Sequence, residues 1–341
     1  MNADALRELS FNLGVFRVHS SIGVIAFSKA SAFICVYLRI QSFLFASLLA
    51  ASFLATAQLR PSQPEPSSGW TEKHLATAPR YMVAAAHPLA VEAGLEVLGR
   101  GGNAIDAMIA TQLMLGLVEP QSSGLGGGAY LLYYDARKKQ LFAYDARESA
   151  PAGATPSLFL QRDGKPMAFA RARAGGRPVG APGVPRLLEV AHARHGSLEW
   201  ASLFRGAIDA AENGFPVSPR LAKLSTGEGI ADEPSARRYL LDAQGKPRAP
   251  GSVLRNPAFA ATLEAMAAKG ADAFYAGEVA ADIVQSVRGH ANAGTLSLDD
   301  LARYRVRETQ PLCAPYRTWR VCGVGSSTYG GIAVLQVLGM L

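Results

Sequence analysis

Residues 119–151 read EPQSSGLGGGAYLLYYDARKKQLFAYDARESAP, and the end of that block is where charge could do chemistry. Asp145, Arg147 and Glu148 fall within four positions of one another, downstream of the glycines Gly124, Gly126, Gly127 and Gly128. A guanidinium stays charged at any relevant pH and grips a carboxylate through two parallel N–H donors, so Arg147 suits an acidic small molecule. Glycines nearby let backbone approach such a ligand closely. A structural alternative stands beside this one, in which Arg147 only pairs with Asp145 or Glu148. The block contains no nucleophile, and the G-x-S-x-G elbow of serine hydrolases is absent from the chain. The run Gly325-Ser326-Ser327-Thr328-Tyr329-Gly330 has the wrong spacing for it.

Other chemistries find little support. There are six histidines but no H-E-x-x-H and no C-x-x-C, and the closest histidine pair, His192 and His195, reads as two solvated side chains on a surface helix. No metal site is expected. The glycine run leads into a strand, whereas a phosphate loop should open a helix whose N-terminal amides face the phosphate. The formal charge is +7, from 34 basic and 27 acidic residues. The densest basic patch, Arg171, Arg173 and Arg177, lacks interleaved aromatics and reads as a solvated loop, so no nucleic-acid partner is expected.

The elements that must position the block can be read from periodicity and punctuation. Residues 82–86 suggest a strand leading through His87-Pro88 into a helix, whose apolar positions Leu89, Val91, Leu95 and Leu98 stop at Gly99, Gly101 and Gly102. Asn103 can cap a second helix over 104–118, so apolar that it should be buried on most sides, with Pro120 as its stop. Residues 129–134 and 141–144 have strand composition and a polar connection compatible with a hairpin. Further helices are expected over 201–213, closed by Gly214, and from Asn256-Pro257 to Gly270. Ser297 and Asp300 resemble a capping box ahead of a helix at 301–304. With strands near 82–145 and 316–324, the class is α+β.

The first part of the chain differs in kind. Residues 40–54 are apolar and uncharged, follow Lys29 and Arg39, and run into Ala55-Thr56-Ala57, the pattern of a secretory signal with its cleavage site. Residues 1–57 are therefore assigned to an N-terminal extension and signal peptide, 58–77 to a Pro/Ser/Gln-rich linker, and 78–341 to the folded region. The protein is expected to be exported, to the periplasm or the extracellular space, with membrane contact only if the signal segment stays uncleaved. Cys35 would leave with that segment; Cys313 and Cys322 can pair in an oxidising compartment or remain unpaired strand residues.

GLGGGAYLLYYD followed by YDARESAP resembles the gamma-glutamyltransferases, also called gamma-glutamyltranspeptidases or glutathione hydrolases. The resemblance extends to AAAHPLAVEAGLEVLGRGGNAIDAMIA upstream and to VGAPGVPRLLEVAHARHG, AFYAGEVAADIVQSV, LSLDDLARYRV and GGIAVLQVLGML downstream. It implies an N-terminal-nucleophile hydrolase, an αββα sandwich made as a precursor that cuts itself into a large and a small subunit. The new N-terminal threonine attacks the γ-glutamyl amide of glutathione or another γ-glutamyl compound, and its free amine can serve as base. The glutamyl group passes to water, an amino acid or a peptide. No metal or organic cofactor is implied. The arginine of the family's R-E-x-x-P stretch, which holds the glutamyl α-carboxylate, falls on Arg147.

Two departures stand out. Gly325-Ser326-Ser327-Thr328-Tyr329 replaces the family's proline-serine-rich stretch, which should loosen that backbone. The family's T-T-H-aromatic threonine motif is found nowhere in the 341 residues. The expectation is a large-subunit region only, its sandwich incomplete for want of the small-subunit part, with no catalytic residue in this chain and no activity alone. Alternatives are a non-catalytic glutamate- or γ-glutamyl-binding module, one half of a split enzyme, or a member resembling the cephalosporin acylases.

Overall fold

In the computed structural model, residues 75–341 are described, apart from 227–229, 231–232 and 326. The signal-like segment, Cys35 and residues 58–74 of the linker lie outside the described residues. Glu72–Leu341 make up one compact unit.

Helix α1 (Pro88–Gly99) begins at a fixed-φ proline, with the His87 Nδ1 accepting the Leu89 amide at 3.2 Å. It ends where Gly101, at φ +91°, turns the chain back. Asn103 then closes a capping box with Asp106 and starts α2 (Ala104–Val118). Eleven of the 15 residues of α2 are buried, as an all-round apolar helix requires, and it is the post around which the core is assembled. Residues 82–86, expected as a strand, have Val83 and Ala85 half-buried and Met82, Ala84 and Ala86 exposed, yet have no ladder partner among the described residues. The alternation is there, but a strand also needs a hydrogen-bonded neighbour.

Strands β1 (Ala129–Asp135) and β2 (Gln140–Ala146) form the expected hairpin, in register from Ala129↔Ala146 to Asp135↔Gln140. Helix α3 (Val184–His195) packs over β2. Its histidines are half-buried and partnered rather than solvated as expected. His195 sits among Tyr133 and Phe142 with its Nε2 2.6 Å from the Tyr144 hydroxyl, and His192 packs on Trp200. Burial first, then Lys138 and Arg194, push the His195 pKa below the ordinary imidazole value. The two histidines meet different neighbours, His195 the aromatic side chains of the hairpin and His192 the Trp200 ring.

The expected helix at 201–213 splits into a 3-10 turn, Trp200–Leu203, and α4 (Arg205–Asn213), ended by Gly214 at φ +97°. The two-residue strands β3 (Phe215–Pro216) and β4 (Val253–Leu254) pair next to it. Helix α5 (Pro257–Lys269), capped by Asn256 and ended by Gly270, packs on α4. Helix α6 (Gly277–Gly289) and the short α7 (Leu298–Ala302) follow. The capping box of Ser297 and Asp300 is present, so α7 starts directly after Ser297 rather than at residue 301.

Strand β5 (Arg307–Thr309) joins the free edge of β2, giving the order β1-β2-β5. Strands β6 (Leu312–Tyr316) and β7 (Trp319–Gly323) form a second hairpin in which Cys313 faces Cys322 and the two are disulfide-bonded. Helix α8 (Gly330–Met340) ends the chain with no buried residue, leaving Val334, Val337 and Met340 more than half exposed. An uncovered apolar face of this kind should drive self-association of the 341-residue chain at micromolar concentration. Sedimentation velocity checks this, and a single monomeric species would contradict it.

Candidate functional site

The glycine-rich loop is positioned from both ends. At its start, the Glu119 carbonyl caps the amides of Ser122 and Ser123, and the buried Glu119 carboxylate takes bonds from Gln121 and Arg220. At its end, the Gly127 carbonyl receives the Gly183 amide at 2.8 Å and the Val184 amide at 3.1 Å, tying the loop to the start of α3. Two glycines make this approach possible. A Cβ on Gly128 would lie 2.8 Å from the Ala146 carbonyl oxygen, and one on Gly183 only 1.9 Å from it. Loop, strand end and helix start therefore meet at the end of β2.

Arg147 leaves the sheet at that junction. Its amide donates to Asp145 Oδ1 at 3.0 Å, and its carbonyl accepts from the Tyr304 hydroxyl at 2.9 Å, so the peptide groups on both sides of the residue are held. The side chain is 60% exposed, with Glu148 Oε2 3.4 Å from Nε. Glu148 is itself committed, since its other oxygen accepts the Gly128 amide at 2.8 Å. The arrangement is a guanidinium on a rigid backbone with most of its surface open to solvent. It can present donors to an incoming carboxylate. Among the described residues no cluster of three or more His, Cys, Asp or Glu side chains is placed to hold a metal ion.

Residues 90–341 match the family model described as Gamma-glutamyltranspeptidase. The chain belongs to the gamma-glutamyltranspeptidase family. It is similar to the glutathione hydrolase proenzyme of Bacillus subtilis (strain 168), at 36% identity over 260 residues that cover 76% of this chain and 44% of the relative. Among solved structures it resembles the gamma-glutamyltranspeptidase of Helicobacter pylori, with a TM-score of 0.73, 29% identity, and coverage of 78% of this chain and 75% of that one. The cephalosporin acylase of Bacillus halodurans is similar at a TM-score of 0.59 and 29% identity, over 74% of this chain and 48% of that one. The chain thus spans less than half the length of the curated Bacillus subtilis relative it matches. The fold is α+β, of the N-terminal-nucleophile hydrolase type shared by these gamma-glutamyltranspeptidases.

The sequence marks Arg147 as a candidate, but not the groups that hold its backbone. Asp145 is buried at the end of β2, and its Oδ2 takes Arg307 Nη2 at 2.5 Å, from the paired residue of β5, together with the Ser327 hydroxyl. Burial alone would raise its pKa; Ser327, the Arg147 amide and Arg307 outweigh that and hold it below the usual carboxylate value. Tyr304 is buried against Tyr275, and burial, with the charges of Asp145 and Glu148, pushes its pKa up to about 12. It stays protonated and keeps donating to the Arg147 carbonyl. Ser327 also accepts the Tyr130 hydroxyl on its carbonyl at 3.1 Å, so the loop expected to be loose is tied to both strands of the hairpin. Nothing local in the sequence marks Tyr304, Arg307 or Ser327, which lie 157 to 182 positions from their partners.

The patch at Arg171, Arg173 and Arg177 divides. Arg171 and Arg173 are exposed, as expected of a solvated loop. Arg177 is a clamp, donating to Asn292 Oδ1 at 2.8 Å and to the Leu158 carbonyl at 2.7 Å.

Proposed function

We propose that this chain carries the substrate-gripping part of a gamma-glutamyltransferase and glutathione hydrolase. The enzyme would cleave the γ-glutamyl amide of glutathione or a related compound and pass the glutamyl group to water, an amino acid or a peptide. The observation that carries the reading is Arg147, exposed beside the glycine-rich loop in a chain of this family. Its guanidinium would hold the α-carboxylate, and its clamped backbone would fix where the γ-amide points. Attack on that amide is assigned to an N-terminal threonine following the T-T-H pattern, which the 341 residues do not contain. The reaction calls for no metal or organic cofactor.

The proposed location is outside the cytoplasm, with residues 1–57 as extension and signal, 58–77 as linker and 78–341 as the enzyme region. The Cys313–Cys322 disulfide supports an oxidising compartment. Among the described residues no helix is long and apolar enough to cross a membrane.

The purified 341-residue chain is expected to release no p-nitroaniline from γ-glutamyl-p-nitroanilide; release above the blank would overturn the assignment of the nucleophile. The DNA after the Leu341 codon, read in three frames, is the companion observation, since a T-T-H-aromatic segment there fits the proposal. A second reading is favoured by the similarity to the Bacillus halodurans cephalosporin acylase. Parallel assays of the complete gene product on a cephalosporin side-chain amide and on γ-glutamyl-p-nitroanilide separate the two. A non-catalytic module would instead bind glutamate in calorimetry with the isolated chain.

A further inference from the structure

Away from Arg147, a cleft of about 510 Å³ lies between the turn of helix Pro234–Leu240 and the β3–β4 pair, lined by Arg238, Tyr239, Arg248, Val253, Leu254 and Arg255. Three of its six lining residues are arginines and none is acidic. The segment 233–255 holds five cations (Arg237, Arg238, Lys246, Arg248, Arg255) against two carboxylates, Glu233 and Asp242. Both carboxylates are committed elsewhere: Glu233 meets His290 Nε2 at 2.6 Å, and Asp242 Oδ1 accepts the amides of Gln244 and Lys246 at 2.9 Å. No described carboxylate is within ion-pair distance of the three lining arginines. Like charges gathered around one concavity repel unless something between them is negative.

Two of the three guanidiniums are also held in place by backbone carbonyls. Arg248 spends its Nε on the Tyr239 carbonyl at 2.8 Å and its Nη2 on the Arg238 carbonyl at 3.2 Å, which leaves Nη1 without an acceptor among the described residues. Among the described residues Arg255 spends only its Nε, on the Asn213 carbonyl at 3.1 Å, and keeps both terminal nitrogens. Arg238 is exposed and makes no described side-chain bond. The cleft therefore offers terminal N–H donors from three fixed positions of the backbone. A single carboxylate would neutralise one of the three charges, whereas a phosphate or diphosphate matches the charge and the number of donors. The Tyr239 ring and the 64%-exposed Val253 give the remainder of a small molecule an apolar surface.

We propose that this cleft is a binding site for a phosphate-bearing small molecule, separate from the glutamyl-gripping Arg147. Equilibrium dialysis of inorganic pyrophosphate against the purified 341-residue chain tests it. Saturable binding at one site is expected at low ionic strength, weakening as salt is added. The double variant Arg238→Gln/Arg255→Gln should bind at least about tenfold more weakly while keeping the wild-type circular dichroism. Arg147→Gln should bind as wild type does. Absence of saturable binding, unchanged affinity in the double variant, or loss of binding in Arg147→Gln would each overturn the proposal. Phosphatidylglycerol vesicles distinguish the source of the phosphate. Sedimentation competed by pyrophosphate assigns a lipid headgroup, and no sedimentation assigns a soluble compound.

Discussion

Replacing Arg147 by glutamine in the complete product of the gene is expected to lower kcat/KM for γ-glutamyl-p-nitroanilide by about 10²- to 10³-fold. The estimate rests on what is lost. A carboxylate held bidentately by a guanidinium would lose two charge-assisted hydrogen bonds and the geometry they impose. Lysine at this position should recover little, because an ammonium lacks the planar fork and Arg147 has no room to shift its backbone. The peptide groups on both sides are bonded to Asp145 and Tyr304, so the donor geometry belongs to the scaffold as much as to the side chain.

The second large effect is on stability. Asp145→Ala should destabilise the chain by about 2–4 kcal/mol, seen as a lower urea midpoint by tryptophan fluorescence at submicromolar concentration. The carboxylate is buried and serves the Arg147 amide, Arg307 and Ser327 together. Arg307 is 67% exposed and can return to water, so most of the cost comes from the amide and the hydroxyl left without an acceptor. The pH dependence has a definite sign. The folded-state pKa of Asp145 is lowered, so its contribution is present above the unfolded value near 3.9 and is lost as pH falls through the folded value. The gap between wild type and Asp145→Ala should therefore narrow in acid and be constant near neutrality. A gap that widened below about pH 4 would contradict the assigned network.

Local signals in the sequence located the elements that build the site. Pro88, Asn103, Pro257 and the Ser297–Asp300 pair open helices by filling orphan amide positions or fixing φ, and those rules act within four residues. The hairpin was legible because its two arms share strand composition and a polar turn. Long-range pairing was not legible. Residues 82–86 alternate as a strand does but lack a partner among the described residues, and β5 was not anticipated at all. His192 and His195 looked polar and solvated because the sequence cannot show that Trp200 packs on the first and that Tyr133, Phe142 and Tyr144 surround the second. Arg147 is singled out only through its family motif, since on its own it is one arginine between acids. Tyr304, Arg307 and Ser327, which fix its position, are brought to it only by the fold.

The most direct measurement compares two substrates on the complete gene product: γ-glutamyl-p-nitroanilide and 4-aminobutyryl-p-nitroanilide, which lacks only the α-carboxylate. If Arg147 grips that group, the wild type prefers the γ-glutamyl compound by about 10²- to 10³-fold in kcat/KM and Arg147→Gln treats the two nearly alike. A preference that survives intact in Arg147→Gln would place the carboxylate elsewhere and contradict the assignment.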